Sequence, residues 1–102
     1  MEILKYLVDE QGIDINERNE QTQRTILHVA AIKERETCVA WLVASGADRD
    51  ACDHNHLSPL MYVCSHGHPA AVRMLLRHGC DPHFANTKGE TALYHACSIE
   101  VH

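Results

Sequence analysis

The sequence predicts an all-α solenoid, a stack of short helix-turn-helix units with hairpin loops projecting from one side. Three observations carry this. The chain repeats itself with a period of 33 residues. Each period holds two short apolar patterns of helical spacing, and small residues line their faces. Between one pair and the next runs a polar stretch rich in Asp and Asn, which reads as an extended loop or hairpin turn.

The elements follow in chain order. Ile3-Leu4-Lys5-Tyr6-Leu7-Val8 reads as the second helix of a first unit, ending at Gly12. It carries one residue more before its glycine than its counterparts, and another in the loop that follows. Thr25-Ile26-Leu27-His28-Val29-Ala30-Ala31 lines up with Ser58-Pro59-Leu60-Met61-Tyr62-Val63-Cys64 and with Thr91-Ala92-Leu93-Tyr94-His95-Ala96-Cys97. Thr25, Ser58 and Thr91 place a hydroxyl at the N-cap position of a two-turn helix. Pro59 then sits at the first helical position, where a missing N–H costs nothing. Leu27/Ala30/Ala31 and Leu60/Val63/Cys64 share a face at i, i+3, i+4.

A second helix follows each first one. Residues 38–48, from Cys38 to Asp48, match 71–81, with Val39/Leu42/Val43 and Val72/Leu75/Leu76 as the expected buried stripes. Gly12, Gly46 and Gly79 suit the left-handed residue that closes a helix. Alanines at 30, 31, 70, 71 and 96 are expected to let helices approach closely. One such pair cannot bury its own core, and stacking identical units solves the problem.

Register makes the resemblance specific. The pattern resembles the ankyrin repeat, T-P-L-H-x-A-A, then G-H-x-x-x-V-x-x-L-L, then G-A-D, with a period of 33. Ser58-Pro59-Leu60, Gly67-His68, Val72, Leu75-Leu76 and Gly79 match it, as do Thr25, Leu27-His28, Ala30-Ala31 and Gly46-Ala47-Asp48. Gly89-Glu90-Thr91-Ala92-Leu93 opens a further copy. Departures stand at Gln23, Glu34 and His56, where the family prefers glycine, and at Ile26, Met61 and Tyr94. Each non-glycine turn residue is expected to cost about 1 kcal/mol. The resemblance divides the chain into a partial repeat over 1–18, repeats over 19–52 and 53–85, and a partial repeat over 86–102. A chain that opens inside a second helix and closes after a first one is expected to be a piece of a longer ankyrin array.

Composition narrows the function. The 102 residues carry 9 Lys and Arg against 14 Asp and Glu, a net charge of −5. A binder of nucleic acid or of an anionic membrane surface normally carries a basic excess. Aromatic residues make up only 5%, too few for a base-stacking platform. No apolar run approaches the length of a membrane span, and the N-terminal run is too short and charged for a signal peptide. Five cysteines, an odd number, with no such signal point to reduced thiols and a cytoplasmic or nuclear location.

The nine histidines invite a metal site. Cys52-Asp53-His54-Asn55-His56 and Cys64-Ser65-His66-Gly67-His68 both read C-x-H-x-H, with Cys80 and His83 further on. The spacing does not match that of structural zinc ribbons. The repeat register also explains Cys64, Cys97, His68 and His78 as ordinary positions. No metal and no cofactor is expected. Protonating all nine would carry the formal charge to +4, the upper bound of any pH response. Cys and His pairs are plentiful by chance, and no phosphate loop, H-E-x-x-H or G-x-S-x-G motif accompanies them. An enzyme is not expected.

Protein recognition remains. The resemblance implies that hairpin tips and the exposed face of each first helix bind a protein partner of unknown identity. These positions are Gln21, Thr22, Arg24, Ile32 and Lys33 in one repeat, His54, Asn55, Leu57, Ser65 and His66 in the next. In the last they are Thr87, Lys88, Glu90, Ser98 and Ile99. Ile32, Leu57 and Ile99 are apolar where exposure is expected, which suits interface anchors. Trp41 reads as core or stacking surface. The resemblance also implies a substrate of asparaginyl hydroxylation, with Asn16 at the preferred site and weaker versions at Asp50 and His83; an Asn or Asp also simply suits that turn. The expected role is a non-catalytic scaffold for protein–protein interaction. The alternatives are a regulatory or substrate-recruiting segment of a larger enzyme, ubiquitin-ligase complex or channel, and a metal- or pH-responsive switch built on the His and Cys residues.

Overall fold

The computed structural model describes residues 2–98, Glu2 and Ser98 by their backbone alone. These residues form α1 (Glu2–Lys5), which runs on as a π-helical turn over Tyr6–Glu10, then α2 (Ile26–Ile32), α3 (Glu36–Ala44), α4 (Pro59–Ser65), α5 (Pro69–Arg77) and α6 (Ala92–Ser98). No strand occurs among them. The helices α2, α4 and α6 pack side by side in one layer, while α3 and α5 back onto α2 and α4.

Local chemistry sets these elements. Thr25 and His28 form a reciprocal cap on α2: the hydroxyl accepts the His28 N–H at 3.4 Å and the His28 ring accepts the Thr25 N–H at 3.2 Å. Ser58 Oγ accepts the Met61 N–H on α4, and Thr91 Oγ1 accepts the Tyr94 N–H on α6. The expected caps are therefore all in place. At the second helices, the N–H groups of Ala47 and Cys80 bond the carbonyls of Leu42 and Leu75, five residues back, across a left-handed glycine. The first copy has one more residue to place. Its closing bond runs from Ile13 to Leu7, six residues back, and the last turn widens into the π-helix.

The core is continuous from one unit to the next, through Leu27, Ala30, Ala31, Val39, Leu42, Leu60, Val63, Cys64, Ala71, Met74 and Leu75. Two expectations need correction. The buried stripe of α5 is Ala71/Met74/Leu75, with Val72 half-buried and Leu76 42% exposed. Both triads obey helical spacing, and the one that holds the small Ala71 side chain is the one buried in the core. Ala70 and Ala96 are exposed, so only three of the five alanines serve close approach. Leu93, the counterpart of the buried Leu27 and Leu60, is 71% exposed, and Cys97 is exposed too, since no described element covers that side of α6.

Candidate interaction surface

Three hairpin loops precede α2, α4 and α6, and one chemistry builds them all. Asn19, Asp53 and Asn86 each accept two backbone N–H groups on the side-chain Oδ1: from Gln21 and Thr22, from Asn55 and Leu57, and from Lys88 and Glu90. The backbone then closes from Asn19 to Arg24, Asp53 to Leu57 and Asn86 to Glu90. Each turn needs one left-handed residue. Gln23 (φ 61°), His56 (φ 66°) and Gly89 (φ 77°) supply it, and Glu34 (φ 54°) does so between α2 and α3. The three departures from glycine thus stand where the backbone most favours glycine.

Side chains tie neighbouring hairpins together. His54 meets the Thr22 carbonyl through both its backbone N–H (3.0 Å) and its ring Nδ1 (2.9 Å). Asn86 Nδ2 donates to the His56 carbonyl at 2.7 Å and to Glu90 Oε1 at 3.0 Å. Arg18 donates to the carbonyls of Gln23 and Cys52. Asn16 is half-buried, and its Oδ1 accepts the Asp48 N–H at 2.8 Å, so this side chain links the first unit to the second.

The expected contact residues separate on inspection. Lys33, His54, Asn55, His66 and Lys88 are exposed, as are Gln21 and Thr87. Arg24, Ile32, Ser65 and Glu90 are half-buried, with Thr22. Leu57 is not an exposed anchor: it is 8% exposed. Its backbone carbonyl accepts the His28 ring N–H at 2.8 Å, which seats the residue inside the joint between units. The side chain of Ser98 and all of Ile99 lie outside the described residues.

Arg24 and His66 come together through a residue that the sequence reading did not single out. Tyr62 stacks on His66 with ring centroids 4.0 Å apart, and the Arg24 guanidinium lies 4.7 Å over the Tyr62 ring. The signal for Tyr62 was its place one helical turn before His66. Glu90 instead pairs with His95 at 3.2 Å, and Asn86 and His95 together hold its carboxyl below the usual carboxylate range. Among the described residues no three His, Cys, Asp or Glu side chains group as metal ligands would. Burial pushes the Cys80 thiol up to about 11, and raises Cys64 and Cys52 as well, which makes all three poor nucleophiles. Among the described residues no helix is long and apolar enough to cross a membrane.

A cleft of about 530 Å³ opens at the other end of the layer, between the first unit and α2, and Leu4, Leu7, Ile13, Ile26, Val29 and Trp41 line it. Trp41 also packs against the core, as expected.

Comparison with known proteins places this architecture. The family model for ankyrin repeats (three copies) matches residues 1–53 and 38–101. Palmitoyltransferase Hip14 of Drosophila melanogaster is 32% identical over 86 residues, which cover 83% of this chain and 13% of that protein. The putative palmitoyltransferase ZDHHC13 of Danio rerio is 35% identical over 96 residues, covering 92% of this chain and 14% of the relative. The chain therefore spans only a small part of the length of these relatives. The crystal structure of the ankyrin repeat domain of Bcl-3, a member of the IkappaB protein family, superposes with a TM-score of 0.72 at 29% identity, covering 88% of this chain and 40% of that one. The period, the capped short helices, the hairpins and these matches agree: this chain belongs to the ankyrin-repeat family.

Proposed function

We propose that this chain is a non-catalytic scaffold that binds a partner protein through its hairpin tips and the outward side of the α2/α4/α6 layer. Ankyrin repeats are generally protein-interaction modules, and their domains are typically non-catalytic. The observation that carries the proposal is the cross-linked row of hairpins, in which His54, Asn86 and Arg18 fix one loop against the next. A surface ordered before binding loses little conformational entropy on binding. The residues assigned to the partner are Arg24, Ile32, Lys33, His54, Asn55, Ser65, His66, Lys88 and Glu90, with Tyr62 in place of Leu57. The unit boundaries proposed at 19, 53 and 86 fall on the three residues that open the hairpins, Asn19, Asp53 and Asn86. Asn16 is proposed as a modification site, read out as a mass gain of one oxygen. The location proposed is cytoplasmic or nuclear.

A photo-crosslinking residue placed at Lys33, Asn55 or Lys88, and in a separate protein at Arg77 on α5, tests the assignment. The first three should give adducts of one partner in cell extract, and Arg77 none. Adducts from Arg77 alone would contradict the proposed face.

A second reading has its own support. Two relatives are named as palmitoyltransferases, enzymes of which the matching part is a small fraction. A repeat segment in such a chain would recruit or regulate, leaving the chemistry to another part.

A further inference from the structure

We infer that the partner segment held on this surface is acidic, a peptide rich in Asp and Glu, and that Arg24, Tyr62 and His66 form its anchor. This rests on the interaction reading above and adds the chemistry of the partner.

The anchor spans two units. Arg24 leads into α2, whereas Tyr62 and His66 belong to α4 and its C-terminal cap. The His66 and Tyr62 rings lie 14° from parallel, and the His68 ring follows His66 at 6.4 Å, 4° from parallel. Each component is held before any partner arrives. Two backbone N–H groups fix the buried Asp53 carboxylate through Oδ1, and its Oδ2 faces Arg24 Nε at 3.8 Å. That Nε is buried, yet the arginine side chain keeps 29% of its surface open. Among the described residues no hydrogen bond occupies either Nη of Arg24. A guanidinium held in this way by an aromatic face and a carboxylate presents its remaining donors as a planar fork, the shape that fits a carboxylate. His66 is held by its Nδ1, at 3.0 Å from the Tyr62 carbonyl and 2.9 Å from Ser65 Oγ.

Charge selects the partner. At the anchor Arg24 faces one carboxylate, Asp53, and that carboxylate is wholly covered, so the charge left open to a partner there is the guanidinium's although the chain as a whole carries −5. Lys33 stands one period before His66 and adds an exposed cation to the same row. The acidic groups along the row are Glu20, Glu34, Asp53 and Glu90, of which Glu20 and Glu34 are exposed and stand outside the Arg24–Tyr62–His66 contact. Asp53 is fully covered, and Glu90 is engaged by Asn86 and His95. A basic segment would meet repulsion from Arg24 and Lys33, and a neutral one would leave the Arg24 donors unpaired.

Selection of random 12-residue phage-displayed peptides on the whole chain tests this, with the winners re-measured on Arg24→Ala, His66→Ala and, as a charge-matched control on α5, Arg77→Ala. Arg24 touches a buried carboxylate, so the exposed His66 provides a second variant whose fold is secure, and circular dichroism checks both. The expected winners are enriched in Asp and Glu, lose about tenfold in affinity on Arg24→Ala, weaken on His66→Ala and ignore Arg77→Ala. Winners without an acidic excess that still weaken in both variants would overturn the acidic partner while leaving the interaction face standing. Winners indifferent to both variants, or no enrichment at all, would overturn the anchor as well.

Discussion

At the scale of single residues, the turn positions make the sharpest prediction. Gln23, Glu34 and His56 hold φ between 54° and 66°, where a side chain clashes with its own backbone. Replacing any one by glycine should stabilise the fold by about 1 kcal/mol, read as a higher denaturant midpoint. Register alone revealed these three positions, because the missing glycines stand out once the copies are aligned. Leu57 departs from its expected exposure for the opposite reason. It shares its position with Arg24 and Glu90, which keep some exposure, and nothing in one sequence says that its carbonyl receives the His28 ring.

His28 is buried with both ring nitrogens in use, and burial holds its pKa below the usual histidine value. The unfolded chain protonates at the ordinary pKa, near 6.5. The neutral ring therefore contributes its full stability above that pH, and the contribution falls as pH drops toward the folded value. Thermal stability should decline between pH 7.5 and 5.5, and less so in His28→Asn measured against its own pH 7.5 value. Equal slopes for the two proteins would contradict this assignment. Losing the ring altogether in His28→Ala strands the Leu57 carbonyl and the Thr25 N–H, at about 3 kcal/mol.

At the scale of elements, the first helix shows what an insertion does. The extra residue between Leu7 and Gly12 was visible in the alignment. Its physical form, a π-helical last turn with a closing bond of six residues, was not, because a loop would have satisfied the sequence equally well. π geometry is rare and less favourable than α. Deleting Gln11 restores the spacing found at Gly46 and Gly79, and should raise amide-exchange protection over residues 8–13. Unchanged or lower protection would mean that the wider turn is itself required. The α5 stripe makes a related point. Periodicity gave the helix but left two neighbouring faces equally apolar, and the stack buries the one with Ala71, Met74 and Leu75.

At the scale of the whole molecule, the described residues form a rod-like body of 46 × 25 × 22 Å. Its substantial helix contacts all join elements of the same unit or of adjacent units. Such a stack was legible from the period alone, since each unit needs its neighbours to bury its face. The interaction surface was legible only in part. Its positions followed from the family pattern, but the joining of Arg24, Tyr62 and His66 across two units is a product of stacking distance that one sequence does not display. The most direct measurement of the central claim is the hydrogen-exchange footprint of the chain with and without bound partner. Added protection is expected around residues 21–24, 54–57 and 62–66, with α5 unchanged; protection centred on Pro69–Arg77 and absent from the hairpins would contradict the proposed face.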